Sequence, residues 1–314
     1  MTRLMGVVTG VVAIAWVATA AGVSGQTAHP ASQPASPRAS QPSSSPASKP
    51  SSQPRQELTL NLGNKVSMKL VLIPAGKFVM GSPAGEKGRG MGDSPYAGTR
   101  RAQGGIPAAG AKDRPSDEGP QREVTLSRPF FMGIYEVTQE QYEQIVGKNP
   151  SNFKDPQNPV EYVSAEDAMD FCDKVSKKTG RKVHLPTEAQ WEYASRAGSQ
   201  TRFSFGDDEK DLGDYAWHKD NSDGKTHHVG QKKPNAWGLY DMHGNVFEWC
   251  RDWYGDSYAD APTIDPTGPA VGKGHLLRGG CWYYFASYSR SACRWPVFVG
   301  RRDSIFGFRV VVDQ

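Results

Sequence analysis

Cysteine is scarce in this chain: four residues in 314, with no Cys-x2-Cys pair and no His-x3-His pair to complete a zinc site. The adjacent His227 and His228 do not repair that lack, because neighbours on a strand point to opposite faces. A Gly-x-Ser-x-Gly elbow and a Gly-rich phosphate loop are both missing, so the motifs of serine hydrolases and P-loop enzymes are absent. Acidic residues are lacking from the first 56 positions, where Arg3, Arg38, Lys49 and Arg55 stand unopposed. Taking those four from the 37 Lys and Arg leaves a number equal to the 33 Asp and Glu. The body is therefore neutral, and the net charge of +4 belongs to the lead. No long basic run or basic–aromatic stripe remains to grip phosphates, and nucleic acid is not an expected partner. What is plentiful is Gly, at 34, and Pro, at 23, which argues for a loop-rich fold over a helical bundle.

Arg3 is followed by an apolar run from Leu4 to Val23 and then Ser24-Gly25-Gln26. This pattern predicts a secretory signal peptide over 1–25, cut after Ala20 or Gly25; an uncleaved membrane anchor is the alternative. No cysteine near that point offers lipid attachment, and no later segment is apolar enough to span a bilayer. Residues 26–56 are almost all Ser, Pro, Ala and Gln, which cannot bury enough apolar surface to order a chain. They read as a disordered tether. The expected location is outside the cytoplasm: periplasmic, cell-surface or secreted.

The body, 57–314, opens with the apolar run Lys69–Gly81, broken by Pro74 and Gly76 in a way that predicts a hairpin. Residues 82–118 lack periodicity and read as a disordered insertion, with a lid over a cleft as the alternative. Three helices carry start signals: Thr138, Ser164 and the capping box Thr187-Glu-Ala-Gln190, with stops at Gly147, Gly180 and near Gly198. Ala168, Phe171, Cys172 and Val175 mark the buried stripe of the second. Beyond Gly198 the chain is short strands and turns crowded with Gly, Asp, Asn and Trp. The expectation is one compact α+β domain of low regular content.

Several motifs, in order, carry a resemblance. They are Ile73-Pro-Ala-Gly-Lys-Phe-Val-Met-Gly-Ser82, Glu118–Leu126, Glu136–Tyr142, Asn149-Pro-Ser151, His184–Ala194, Asn235–Trp249, Arg278-Gly-Gly280 and Gly307-Phe-Arg-Val310. Together they resemble the formylglycine-generating-enzyme, or sulfatase-modifying factor, family over essentially all of 66–314. The resemblance implies a single domain distantly related to C-type lectins. It also implies a copper(I) oxidase that converts a client sulfatase cysteine to an aldehyde. Its two copper cysteines would fall at Tyr284 and Ser289, where a phenol and a hydroxyl cannot replace the thiolates a soft ion selects. Copper is therefore not expected, although Cys281 is kept as a candidate catalytic residue. Family calcium is implied for the segment holding Asn245, Val246 and Glu248; the same residues could instead serve only to satisfy buried backbone.

Four cysteines allow three full pairings, and spacing cannot choose among them. The family's active-site layout favours Cys250–Cys281, with Cys172 a buried thiol. The altered site is rich in rings and guanidinium: Tyr283, Tyr284, Phe285, Tyr288, Arg290, Arg294 and Trp295, with Trp282 assigned to the core. If 282–288 runs as a strand, alternate residues must reach the surface. Two functions follow. One is a binding module that takes a protein, peptide or glycan in an aromatic and Arg-rich cleft near 282–295, without formylglycine-generating activity. The other is an oxidising or maturation enzyme acting on exported clients.

Overall fold

The computed structural model describes residues 55–86 and 116–314. The predicted signal peptide, the tether up to Pro54 and the middle of the predicted insertion lie outside those residues. Alternating apolar positions build the first hairpin, β1 (Glu57–Gly63) and β2 (Val66–Ile73), burying Leu60, Leu62, Met68 and Leu70. Its turn uses Gly63, Asn64 and Lys65, all at positive φ. Pro74 then separates β2 from β3 (Gly76–Met80), but the two do not form the predicted hairpin. β3 pairs with β4 (Arg122–Leu126) in a separate ribbon, while β2 pairs with β1 and with β5 (Phe130–Gly133). Local breaker residues announced a change of direction; partners distant in sequence decided where the strand went.

The three expected helices form where their caps stand. They are α1 (Gln139–Val146), α2 (Ala165–Thr179) and α3 (Glu188–Arg196), opened by capping boxes at Thr138, Ser164 and Thr187. Gly147 and Gly180 end the first two in the left-handed conformation; Ala197 ends the third, one residue before the expected glycine. The stripe of α2 packs Phe171 against Tyr142 of α1 and Phe308. Past α3 only the four-residue α4 (Leu212–Tyr215) is helical among the described α-elements.

The five-stranded sheet has the order β1-β2-β5-β11-β6, with the last strand, β11 (Val311–Asp313), laid between β5 and β6 (Val183–His184). The chain end is thus locked into the sheet that the first strands began. A second sheet, β10-β7-β8-β9, comprises β7 (Phe247–Trp253), β8 (Gly274–Arg278), β9 (Trp295–Phe298) and β10 (Phe306–Gly307). Strand alternation separates two apolar cores: Phe247, Trp249 and Leu277 enter one, Cys250 and Leu276 the other. This is the low-regularity α+β domain the sequence predicts.

Candidate functional site

The segment after β8 has little regular structure of its own, and buried arginines hold it to the rest of the molecule. α3 presents Glu188 and Glu192 on one face at i, i+4 spacing. Arg294 binds Glu188 through two nitrogens at 2.6 and 3.0 Å, and Arg278 pairs with Glu192, which Arg196 also meets at 2.9 Å. Arg290 binds Glu118 at 2.8 and 2.9 Å and also reaches Glu86. Arg309 closes on both oxygens of Glu248 at 2.6 Å. Burial opposes the charge on Arg278, Arg290, Arg294 and Arg309, yet the carboxylates around them push all four above the ordinary pKa. The pairs are fully desolvated, so their value lies in geometry that no alternative packing reproduces.

This arrangement corrects part of the sequence reading. Arg290 and Arg294 were expected on a recognition surface, yet they are 0% and 2% exposed. Tyr284 and Tyr288 are likewise interior, packed with Trp295 as mutually tilted rings with centroids about 5 Å apart. The reason is that 282–288 is not a strand: it turns through a short 3₁₀ segment, Ala286–Tyr288, so alternation does not apply. Tyr283, Phe285 and Trp295 remain half-buried. Lys219 lies over the Phe285 ring at 4.6 Å and near Tyr283 at 5.6 Å, making a compact cationic–aromatic patch. Trp282 is in the core, its Nε1 donating to the Ser304 carbonyl. The bounds of the predicted insertion also shift: Ser82 and Glu118 are buried and bonded to each other, so the ends of 82–118 belong to the folded body.

The predicted Cys250–Cys281 disulfide is absent, and both residues are buried thiols. They sit in different cores on the two sides of β7, which keeps them apart. Burial pushes both thiols well above the ordinary range. At the two positions where copper ligands are implied, Tyr284 is interior. Ser289 is gripped through its carbonyl by His243 at 2.8 Å. The Ser204 N–H donates to His243 Nε2, which places the ring proton on Nδ1 facing Ser289. Burial lowers that imidazole to about 4, so it stays neutral. The glycines of Arg278-Gly-Gly280 are required by close approach: a Cβ on Gly280 would lie 2.6 Å from Ser289 Oγ. A phenol, a serine and a protonated, buried thiol do not fit a copper(I) centre.

The implied calcium residues are found among bonded neighbours. Asn245 accepts from the His227 N–H and donates to Glu136, and Val246 N also donates to Glu136. Glu248 takes Arg309 and Trp191 Nε1. What the sequence reading missed is Asp241. Its Oδ2 accepts from Gly230 N at 2.7 Å, while its buried Oδ1 has no hydrogen-bond partner among the described residues. Glu136, Asp241 and Glu248 thus face a single guanidinium. Burial raises Glu136 well above the ordinary carboxylate range and Asp241 to about 6. Both oxygens of Glu136 and of Glu248 are taken by protein donors, which leaves Asp241 Oδ1 as the hard oxygen of this group open to a calcium ion. Among the described residues no three His, Cys, Asp or Glu side chains converge as a metal cage, so such an ion would need backbone carbonyls as well.

Curled sheets tied through buried arginines to one short helix define the class: a loop-rich α+β domain of the formylglycine-generating-enzyme type. A model described as the sulfatase-modifying factor enzyme 1-like domain matches residues 60–314, and the chain belongs to that family. It is 35% identical over 176 residues to the formylglycine-generating enzyme of Streptomyces coelicolor, covering 50% of this chain and 54% of that enzyme. The match thus spans about half the length of that relative. Variable protein 1 of Treponema denticola superposes with a TM-score of 0.69 at 29% identity, over 82% of this chain and 99% of that one. PvdO from Pseudomonas aeruginosa gives 0.66 at 29% identity, over 82% and 98%.

Proposed function

We propose that the protein is an exported, tethered binding domain of this family that does not oxidise sulfatase cysteines. The observation that carries the reading is the pair Tyr284 and Ser289 at the implied copper positions, with Cys281 sealed in the core beside them. Recognition then falls to Tyr283 and Phe285 with Lys219 over them. Rings with few rotatable bonds give contact area at low entropy cost, and a lysine adds attraction for an anionic or hydroxyl-rich partner. A protein, peptide or glycan ligand fits that surface.

The direct test incubates the purified protein with Cu(I), oxygen, a reductant and a Cys-x-Pro-x-Arg peptide, with mass spectrometry as the readout. No aldehyde is expected, beside an active family member as control. Aldehyde formation that disappears in Cys281→Ser would overturn the reading in favour of an oxidising maturation enzyme. For the binding surface, Tyr283→Ala with Phe285→Ala should weaken capture of peptide- or glycan-array ligands at least tenfold, about 1.4 kcal/mol. The unfolding midpoint should barely move, because both rings are only partly buried.

Calcium is proposed as a structural ion held by Asp241 Oδ1 together with backbone carbonyls. Calcium at a hundred times its dissociation constant should stabilise the fold by about 2.7 kcal/mol. Thermal melts with calcium and with chelator check this. Asp241→Asn should remove the calcium dependence, and a calcium-independent midpoint in the parent protein would refute the assignment.

A further inference from the structure

A cavity of about 260 Å³ lies away from the aromatic patch and the acidic cluster, between the end of β7, the start of α3 and the loop that follows β7. Its walls are largely apolar: Met80, Ala189, Trp253, Pro266 and Pro269. Trp253 is held from behind by stacking on His275, with ring centroids 4.1 Å apart. Tyr258 is fixed by its hydroxyl, which donates to Glu188 at 2.8 Å. The wall is therefore built before any ligand arrives.

The polar groups at the wall differ in what they have left to offer. Arg294 spends its nitrogens on Glu188 and on the carbonyls of Asp117 and Gly255. Arg122 donates to the carbonyls of Tyr258, Ala261 and Pro262. Glu188 is taken by Arg294 and Tyr258. Asp252 is the exception. It is 3% exposed, its Oδ2 accepts from the Glu188 N–H at 3.0 Å, and no donor among the described residues reaches Oδ1. Gly268 lies against that oxygen; a Cβ there would come within 3.3 Å of it, so glycine keeps the approach open.

We propose that this cavity binds a small arylalkylamine, its flat apolar body against Trp253 and the two prolines and its ammonium group on Asp252. A carboxylate in an apolar wall, beside an aromatic face, selects a cation with an apolar tail over a neutral or anionic one. The charged groups around Asp252 do not reverse that choice. Glu188 and Arg294 neutralise each other, Asp260 at the rim opposes the charge that Arg122 keeps while its donors go to carbonyls, and Arg251, next in sequence, lines a neighbouring cavity. His275 uses Nδ1 on the Asp252 carbonyl. Burial, with Glu188 next to it, raises the Asp252 carboxyl to about 7. An ammonium ligand therefore binds the ionised form, and the carboxyl proton passes to solvent.

The test titrates the full chain with benzylamine, benzyl alcohol and phenylacetate, following ligand NMR signals and tryptophan fluorescence. Benzylamine should bind tightest and phenylacetate weakest. The benzylamine affinity should rise about tenfold between pH 6 and pH 8, as the ionised fraction of Asp252 grows. Benzyl alcohol should show no such rise. Asp252→Asn should flatten the profile and bring benzylamine level with benzyl alcohol. Phenylacetate binding as tightly as benzylamine, a flat benzylamine profile in the parent protein, or no saturable benzylamine binding would each overturn the proposal. The parent profile decides the matter even if the variant folds poorly.

Discussion

Arg290→Ala should cost the fold about 3–5 kcal/mol, because it leaves Glu118 buried with its main counter-charge gone. For a body of this size that is a fall of roughly 10 °C in the midpoint. Glu118 is 0% exposed, and besides Arg290 its carboxylate accepts from Ser82 Oγ, a neutral donor that cannot replace the lost charge. Pairing Arg290→Met with Glu118→Gln should recover part of the loss, since removing both charges removes the uncompensated one. Urea melts of the two single variants and the double variant check this. The experiment also separates two roles for the same residue. A recognition arginine would lower ligand capture and leave the melt unchanged; an anchoring arginine does the reverse. Survival of Arg290→Ala with an unaltered midpoint would mean that the 290–118 pair is solvated and the C-terminal segment is held by other contacts.

The helices were legible because their signals are local. A threonine or serine cap, its Gln or Asp three residues on and a glycine at or near the far end all lie within one element. The family motifs were legible for a related reason: Arg278-Gly-Gly280 and the Gly244-containing loop need glycine where Trp191, Ser289 or the Trp217 carbonyl comes close. What composition could not separate was anchoring from recognition. Arg290 and Arg294 sit among Tyr and Trp and read as a binding surface, yet their partners, Glu118 and Glu188, are 172 and 106 residues earlier. One clue was present, the i, i+4 pair of glutamates on a capped helix that also carries Ala189, Trp191, Tyr193 and Ala194. Asp241 gave a similar clue, an acidic residue beside a Met-His-Gly turn, but its unbonded oxygen is a fact of three dimensions. The Lys69–Gly81 run failed differently. Pro74 and Gly76 do break the strand, but a break fixes no partner, and β4 outcompeted β2 for β3.

Asp252→Asn should make the protein more stable at pH 8 by about 4 kcal/mol while leaving it nearly unchanged at pH 4. The sign follows from the direction of the shift. Burial raises this carboxyl from its ordinary 3.8 to about 7. Its contribution is thus complete below the unfolded value and is lost as the pH climbs through the folded one. Asp241 and Glu161, raised to about 6 and about 7, act in the same direction, so the parent protein should weaken from mildly acid to mildly alkaline pH. Denaturant melts at the two pH values, with and without benzylamine, measure both the gap and its cause. Asparagine can still accept from the Glu188 N–H, so nothing structural requires the acid there. What asparagine cannot supply is a charge at the cavity wall, and benzylamine should narrow the pH 8 gap by stabilising the parent alone. An equal melt for the two proteins at pH 8 would mean that Asp252 is already paired or hydrated. The argument for an amine site would then lose its electrostatic basis. A gap that benzylamine closes would tie the cost of keeping Asp252 to the ligand it is placed to hold.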